Sequence, residues 1–166
     1  TQSSKSKGKR HAKSGHAKLA ADIELTLTER GVDLGIKGLA VEGLSATQAL
    51  LDFAHDHGLA RLTLDQGYGS ETVWEPEPVT VKLGSVSVPF PPASFLQATL
   101  DGEAALVAAA HEWLADSATV ADLFSGLGTF AFALAGPTTK VLAVEASRDA
   151  HMACKAAAGR AQLPIH

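Results

Sequence analysis

Two carboxylates set around a pair of glycines are the residues best suited to chemistry in this 166-residue sequence. Asp122 stands just ahead of Gly126-Leu127-Gly128, and Glu145 closes a short apolar run beyond them. Gly126-Leu-Gly-Thr-Phe-Ala131 has the form G-x-G-x-x-G/A, which suits a dinucleotide whose pyrophosphate rests on a helix N-terminus. A carboxylate at Asp122 would repel a diphosphate and attract a cationic amino group. S-adenosylmethionine carries an ammonium, a sulfonium and a ribose diol. Asp122 fits its aminoacid end, and Glu145 can accept hydrogen bonds from both ribose hydroxyls. The residues therefore favour S-adenosylmethionine. A nicotinamide or flavin nucleotide and a ligand-free βαβ unit remain open.

The elements that must position these groups read as strand, glycine turn, helix and strand. Thr119–Phe124 is an apolar run of the kind buried in a parallel sheet. Gly126 and Gly128 permit a tight turn and a close backbone approach by a ligand. A helix over Thr129–Ala135 starts with unpaired N–H groups directed at whatever lies over that turn. Gly136-Pro137 stops it, and Lys140–Val144 supplies the second strand, with Glu145 at its carboxyl end, where open α/β sheets bind ligands. A further helix is predicted over Ser147–Ala158; it holds Cys154 in an alanine-rich stretch, where a thiol serves packing.

Upstream, Ile23, Leu25 and Leu27 alternate with Asp22, Glu24, Thr26 and Thr28, the pattern of a half-buried strand; Glu29-Arg-Gly31 turns it back into Val32–Ile36 as a hairpin. Ser45-Ala-Thr-Gln48 has the form of a capping box opening a helix through His57. Leu59–Leu64 reads as a strand, and Val79–Leu83 and Val86–Phe90 flank Gly84-Ser85 as a second hairpin. The whole upstream half reads as a small α+β unit dominated by antiparallel pairs. Tyr68 and Trp74, close to Gly67 and Gly69, are candidates either to stack a base or to brace a loop. His55 and His57 are two apart and share no helix face, so no metal site is expected. Three prolines between Pro89 and Pro92 forbid a helix and stiffen the approach to Gln97. Gln97 is either a ligand-facing amide or a loop brace. Asp101 is predicted to cap a helix over 102–115.

Composition narrows the classes. Hydrophobic residues make up 46% of the chain, and no apolar run nears the roughly 18 residues of a membrane span. The opening Thr1-Gln-Ser-Ser has no signal-peptide core, so a cytoplasmic protein with no membrane partner is expected. One cysteine excludes an internal disulfide framework and an all-cysteine metal site within this chain. Charge is unevenly placed: residues 1–18 hold six bases and no acid, a net +6, while the remainder has eight bases against eighteen acids, a net −10. Such a basic arm is either a solvated linker or an RNA contact that works by counterion release. The division expected is a basic arm over 1–18, an α+β domain over 19–92 and a partial ligand-binding domain over 93–166.

Taken in order, Phe95-Leu-Gln97-Ala-Thr99, then Asp122-Leu-Phe-Ser-Gly-Leu-Gly-Thr-Phe130, then Val144-Glu145 resemble the RNA uracil-5-methyltransferases. These are S-adenosylmethionine enzymes that make 5-methyluridine in ribosomal or transfer RNA, and the match spans roughly 88–160. The resemblance implies an α/β fold: a small α+β central domain followed by the first half of a Rossmann-like class I methyltransferase sheet. It implies S-adenosylmethionine as cofactor and rRNA or tRNA as partner. It also implies a cofactor-binding set of Gln97, Asp122, Phe124, Gly126, Gly128, Thr129 and Glu145. Thr99 stands where the family pattern F-x-Q-x-N has asparagine, and Ser125 where D-L-F-C-G has cysteine. Thr129 stands where an asparagine is common. Family members use a cysteine thiolate to attack C6 of the uracil and a glutamate to remove the C5 proton. Both fall downstream of the second strand in a part this chain does not include, so no catalytic residue is assigned and the chain alone is expected not to methylate RNA. An oxidoreductase fragment and a non-catalytic RNA-binding module working through the basic arm are the competing readings.

Overall fold

The computed structural model describes residues 20–166, and the basic arm read at 1–18 lies outside the described residues. The first unit is a four-stranded sheet in the order β1(Asp22–Thr28), β2(Gly31–Lys37), β3(Arg61–Asp65), β4(Ser70–Trp74), with α1(Gly43–Asp56) between β2 and β3. β1–β2 and β3–β4 are antiparallel, as the predicted hairpin requires, but β2 and β3 run parallel. A helical crossover makes that parallel pairing possible. β4 leaves little mark in the sequence, because Ser70-Glu-Thr-Val-Trp74 follows a glycine-bounded turn and shows little apolar alternation.

Two expectations for this unit fail. Ile23, Leu25 and Leu27 form no half-buried face: they are 65%, 66% and 78% exposed. They share a face with Ile36, Leu34 and Val32, their partners in the register. α1 packs Ala54 and Leu50 over Leu34, Leu62 and Val73, nearer the centre of the sheet, and leaves the edge strand uncovered. The capping box at Ser45 is also absent. The helix begins two residues earlier at Gly43, which has φ +81°, after Glu42 with no side-chain cap. Gln48 instead donates to Asp52 one turn on.

β5(Thr80–Leu83) and β6(Val86–Pro89) form the second hairpin around Gly84. The predicted cap of the next helix moves from Asp101 to Thr99, whose Oγ1 accepts from Gly102 N–H at 3.2 Å. Asp101 falls in the first turn of α2(Leu100–Leu114), where a negative charge is still favourable.

β7(Thr119–Leu123), α3(Thr129–Leu134), β8(Lys140–Val144) and α4(Arg148–Ala161) follow as a parallel βαβ unit plus a helix. The chain then adds a third line of pairing: Val141 N–H donates to Pro164 C=O, and His166 N–H donates to Val141 C=O, in parallel alongside β8. Val120 and Val141 face the helices with Ala131 and Leu134. Leu123, Leu142 and Val144 lie on the opposite face, and all three are exposed. The largest apolar cluster joins the β5–β6 hairpin (Val81, Leu83, Val88) to Leu127, Phe132 and the alanine face of α4. Alanines at 150, 153, 157 and 158 let that helix sit close to the hairpin.

Candidate functional site

The glycine turn is fastened on three sides by backbone hydrogen bonds. Ser125 N–H donates to Val144 C=O at 3.1 Å, tying the turn to the end of β8. Gly128 N–H donates to Ser125 C=O at 2.8 Å and closes it, and Phe132 N–H donates to Gly128 C=O at 2.8 Å as α3 begins. Gly128 has φ +100°, and a Cβ there would lie 2.8 Å from Cys154 Sγ and 2.8 Å from the Phe132 ring. The glycine is required by the packing beneath it as well as by its dihedral. Gly126 at φ +54° faces open space, so only conformation restricts it. Between β7 and these glycines, Phe124 holds φ +61° with its ring 89% exposed. A bulky side chain in the left-handed region is strained, and such strain concentrates at functional turns.

Both carboxylates meet the turn. Glu145 Oε2 accepts from Gly126 N–H at 2.8 Å and Oε1 accepts from Ser147 N–H at 2.7 Å. These two bonds, the Ser147 one foremost, hold its carboxyl below the usual glutamate range. Each oxygen keeps a lone pair for a further donor. The contribution of Ser147 is a main-chain donor, which its residue type does not announce in the sequence.

Asp122 is buried, and its Oδ2 accepts from Ala131 N–H at 3.1 Å. It serves as a cap for α3 that Gly128, with no side chain, cannot supply. The picture of free helix N–H groups above the turn is corrected to that extent, because the Ala131 donor is taken from within the protein. Burial pushes the Asp122 carboxyl above the usual aspartate range, against the opposing effect of the Ala131 bond.

Thr129 opens α3 and is half-buried. Gln97 is half-buried in the loop before α2, next to Leu96, which packs against the cluster containing Leu127. Hydrogen bonds thus join Asp122, Gly126, Gly128 and Glu145 into one turn, with Phe124 and Thr129 on its backbone. Among the described residues Gln97 makes no hydrogen bond to this turn; its neighbour Leu96 packs on the cluster that contains Leu127.

Cys154 lies under the turn, buried among alanines, as its alanine-rich surroundings predicted. Burial first, and the nearby Asp122 charge second, push its thiol up to about 11. A cleft of about 340 Å³ between β8 and α4 touches Ser125, His151 and Cys154, but none of the seven predicted ligand residues lines it. Trp74 is a brace: its Nε1–H donates to Leu59 C=O at 2.9 Å. Tyr68 is 98% exposed. It is carried on a turn whose flanking Gly67 and Gly69 N–H groups both donate to Asp65. Among the described residues no helix is long and apolar enough to cross a membrane.

No protein-family model matches the chain. It is 50% identical over 141 residues to an uncharacterized RNA methyltransferase of Zymomonas mobilis, covering 85% of this chain and 35% of that protein. To the 23S rRNA (uracil(1939)-C(5))-methyltransferase RlmD of Tolumonas auensis it is 33% identical, covering 74% of this chain and 28% of that one. The chain thus spans about a third of the length of the relatives it matches. Among solved structures, the Pyrococcus abyssi tRNA (uracil-54, C5)-methyltransferase in complex with S-adenosyl-L-homocysteine superposes with a TM-score of 0.61 at 20% identity. That superposition covers 86% of this chain and 37% of the other. The chain therefore shares the α/β fold of that structure over the superposed part, and its β7–α3–β8 unit is Rossmann-like, as the motifs implied. Over the span it shares with them, the chain is a homologue of the RNA methyltransferases.

Proposed function

We propose that the glycine turn binds S-adenosylmethionine and that the protein transfers its methyl group to C5 of a uridine in ribosomal or transfer RNA, in the cytoplasm. The observation that carries this reading is Glu145, fixed by Gly126 and Ser147 at the end of β8 with a lone pair left on each oxygen. That is the acceptor pair a ribose diol needs. Phe124 offers an exposed ring to the cofactor from the same turn. Asp122 organises the turn through Ala131, and we assign its carboxylate to the cofactor's ammonium, whose positive charge favours the ionised form; Gln97 and Thr129 complete the set. The homology to proteins named RNA methyltransferases supports the substrate class, and RlmD supports uridine C5.

The reaction itself needs a nucleophile at C6. Cys154 does not fit: it is buried, and at neutral pH its thiol is protonated. We therefore assign no nucleophile or base among these residues, and assign them to cofactor binding. Calorimetry tests this. S-adenosylhomocysteine should bind and NADH should not, and Glu145→Ala should weaken binding by roughly ten- to a hundred-fold, the loss of one or two charge-assisted hydrogen bonds. Binding of NADH alone would overturn the assignment. Tight binding of structured RNA with no affinity for S-adenosylhomocysteine would favour an RNA-binding module instead.

A further inference from the structure

We infer that Arg61, through the carbonyl of Phe90, is a positioning residue for the Gln97 loop; this rests on the cofactor reading of the glycine turn. Arg61 on β3 is 1% exposed. Its Nε donates to Asp33 Oδ1 at 3.0 Å and its Nη2 to Asp33 Oδ2 at 2.6 Å, a two-pronged pair across the parallel β2–β3 junction. The remaining prong, Nη1, donates to Phe90 C=O at 2.7 Å. The guanidinium carbon lies 5.4 Å from the centre of the Phe90 ring. Glu75 completes the surroundings, with Oε1 3.9 Å from Nη1 while also accepting from Val79 N–H.

Phe90 is where the second hairpin hands over to the proline-rich loop. Its N–H donates to Val79 C=O at 2.9 Å, so both backbone groups of this residue are held, one by the hairpin and one by Arg61. Beyond it, Pro91 and Pro92 fix φ. Ser94 N–H returns to Pro91 C=O at 3.2 Å, and Ala93 sits at φ +59°. Thr99 then caps α2. The loop that carries Gln97 is thus held at its start by Phe90 and its prolines, and farther on by Leu96 against the cluster that contains Leu127.

Fold stability alone does not call for this arrangement. A buried ion pair is often replaced by apolar residues of similar volume with no loss of stability. An apolar pair cannot donate to the Phe90 carbonyl. Lysine cannot reproduce the three-way geometry either, because a planar fork is needed to engage a carboxylate and a carbonyl together.

The test compares S-adenosylhomocysteine affinity by calorimetry with melting temperature in three variants. They are Arg61→Lys, the paired apolar replacement Arg61→Met with Asp33→Leu, and Leu62→Ala. Leu62 is on the same strand and packs with Leu34 and Ala54 under α1, so its truncation lowers stability without touching Phe90. Arg61→Lys and the apolar pair should weaken binding about ten-fold, the equivalent of one cofactor hydrogen bond. They should also speed amide exchange at residues 93–98, while Leu62→Ala binds within two-fold of the parent. The informative case is the apolar pair: melting temperature recovers and affinity does not. If affinity recovers together with melting temperature, or if Arg61→Lys binds like the parent, the inference is overturned and the cofactor reading stands. If the parent chain itself binds no S-adenosylhomocysteine, the cofactor reading fails and the inference falls with it.

Discussion

Two glycines in one turn answer to different constraints, and substitution separates them. At Gly128 a methyl group meets the Cys154 sulfur and the Phe132 ring at 2.8 Å while φ is +100°. Gly128→Ala is expected to cost about 3 kcal/mol or more from combined strain and overpacking. Gly126→Ala meets nothing within 4 Å and should cost about 1 kcal/mol from dihedral strain alone. Urea denaturation of the two variants measures the difference. Asp122 offers a second residue-level test. Its folded-state pKa is raised, so the protonated form is favoured on folding. The stability this contributes is present below the ordinary aspartate pKa and is lost as pH rises through the raised value. Asp122→Asn keeps an oxygen to accept from Ala131 and carries no charge. The variant should melt at or above the parent temperature at pH 7, with the advantage shrinking toward pH 3, and should bind S-adenosylmethionine more weakly. A lower melting temperature at pH 7 would show that the charge itself supports the fold. For Cys154 the direction is likewise upward, from 9.0 to about 11. Stability that is full below pH 9 should decline between pH 9 and 11 more steeply in the parent than in Cys154→Ala.

Elements were legible in the sequence wherever local pattern and local chemistry agreed. β7, the glycine turn, α3 and β8 appear within a residue or so of their predicted bounds, because an apolar strand, a Gly-x-Gly turn and a Gly-Pro stop each leave a short-range mark; the burial expected for Thr119–Phe124 holds on one face only, since Leu123, Leu142 and Val144 are exposed on the other. Glu145 was located for the same reason. Its partner Ser147 was not, since a backbone donor is contributed by any residue type. The β1 face shows the limit more sharply. Strict alternation identified the strand, but which face is covered depends on where α1 lands, and that is a tertiary fact absent from the period of the pattern. This difference is measurable. Leu25→Ser, on the bare edge, should change stability by less than about 0.5 kcal/mol, whereas Leu62→Ala, fully buried under α1, should cost about 2–5 kcal/mol. The Arg61–Asp33 pair was also invisible in sequence, because two charges on separate strands carry no spacing signal for their register.

Across the whole molecule, the main cluster does not stop at the start of the methyltransferase-like half. Val81, Leu83 and Val88 of the hairpin pack with Leu127, Phe132 and α4, so the turn that presents Gly126 and Gly128 rests partly on the preceding unit. Ala157, with no exposed surface, faces that junction. Ala157→Leu should overpack it, cost about 1–3 kcal/mol, and loosen the hairpin and α4 together in hydrogen exchange.

The strained backbone at Phe124 has a practical consequence for anyone improving this protein in the laboratory. Asparagine or glycine tolerates a φ of +61° far better than phenylalanine, and Phe124→Gly should raise the unfolding free energy by about 1 kcal/mol. A library screened for heat resistance alone would enrich that change early and discard the one aromatic ring the turn holds out to solvent. Selection schemes should therefore score ligand retention in every round.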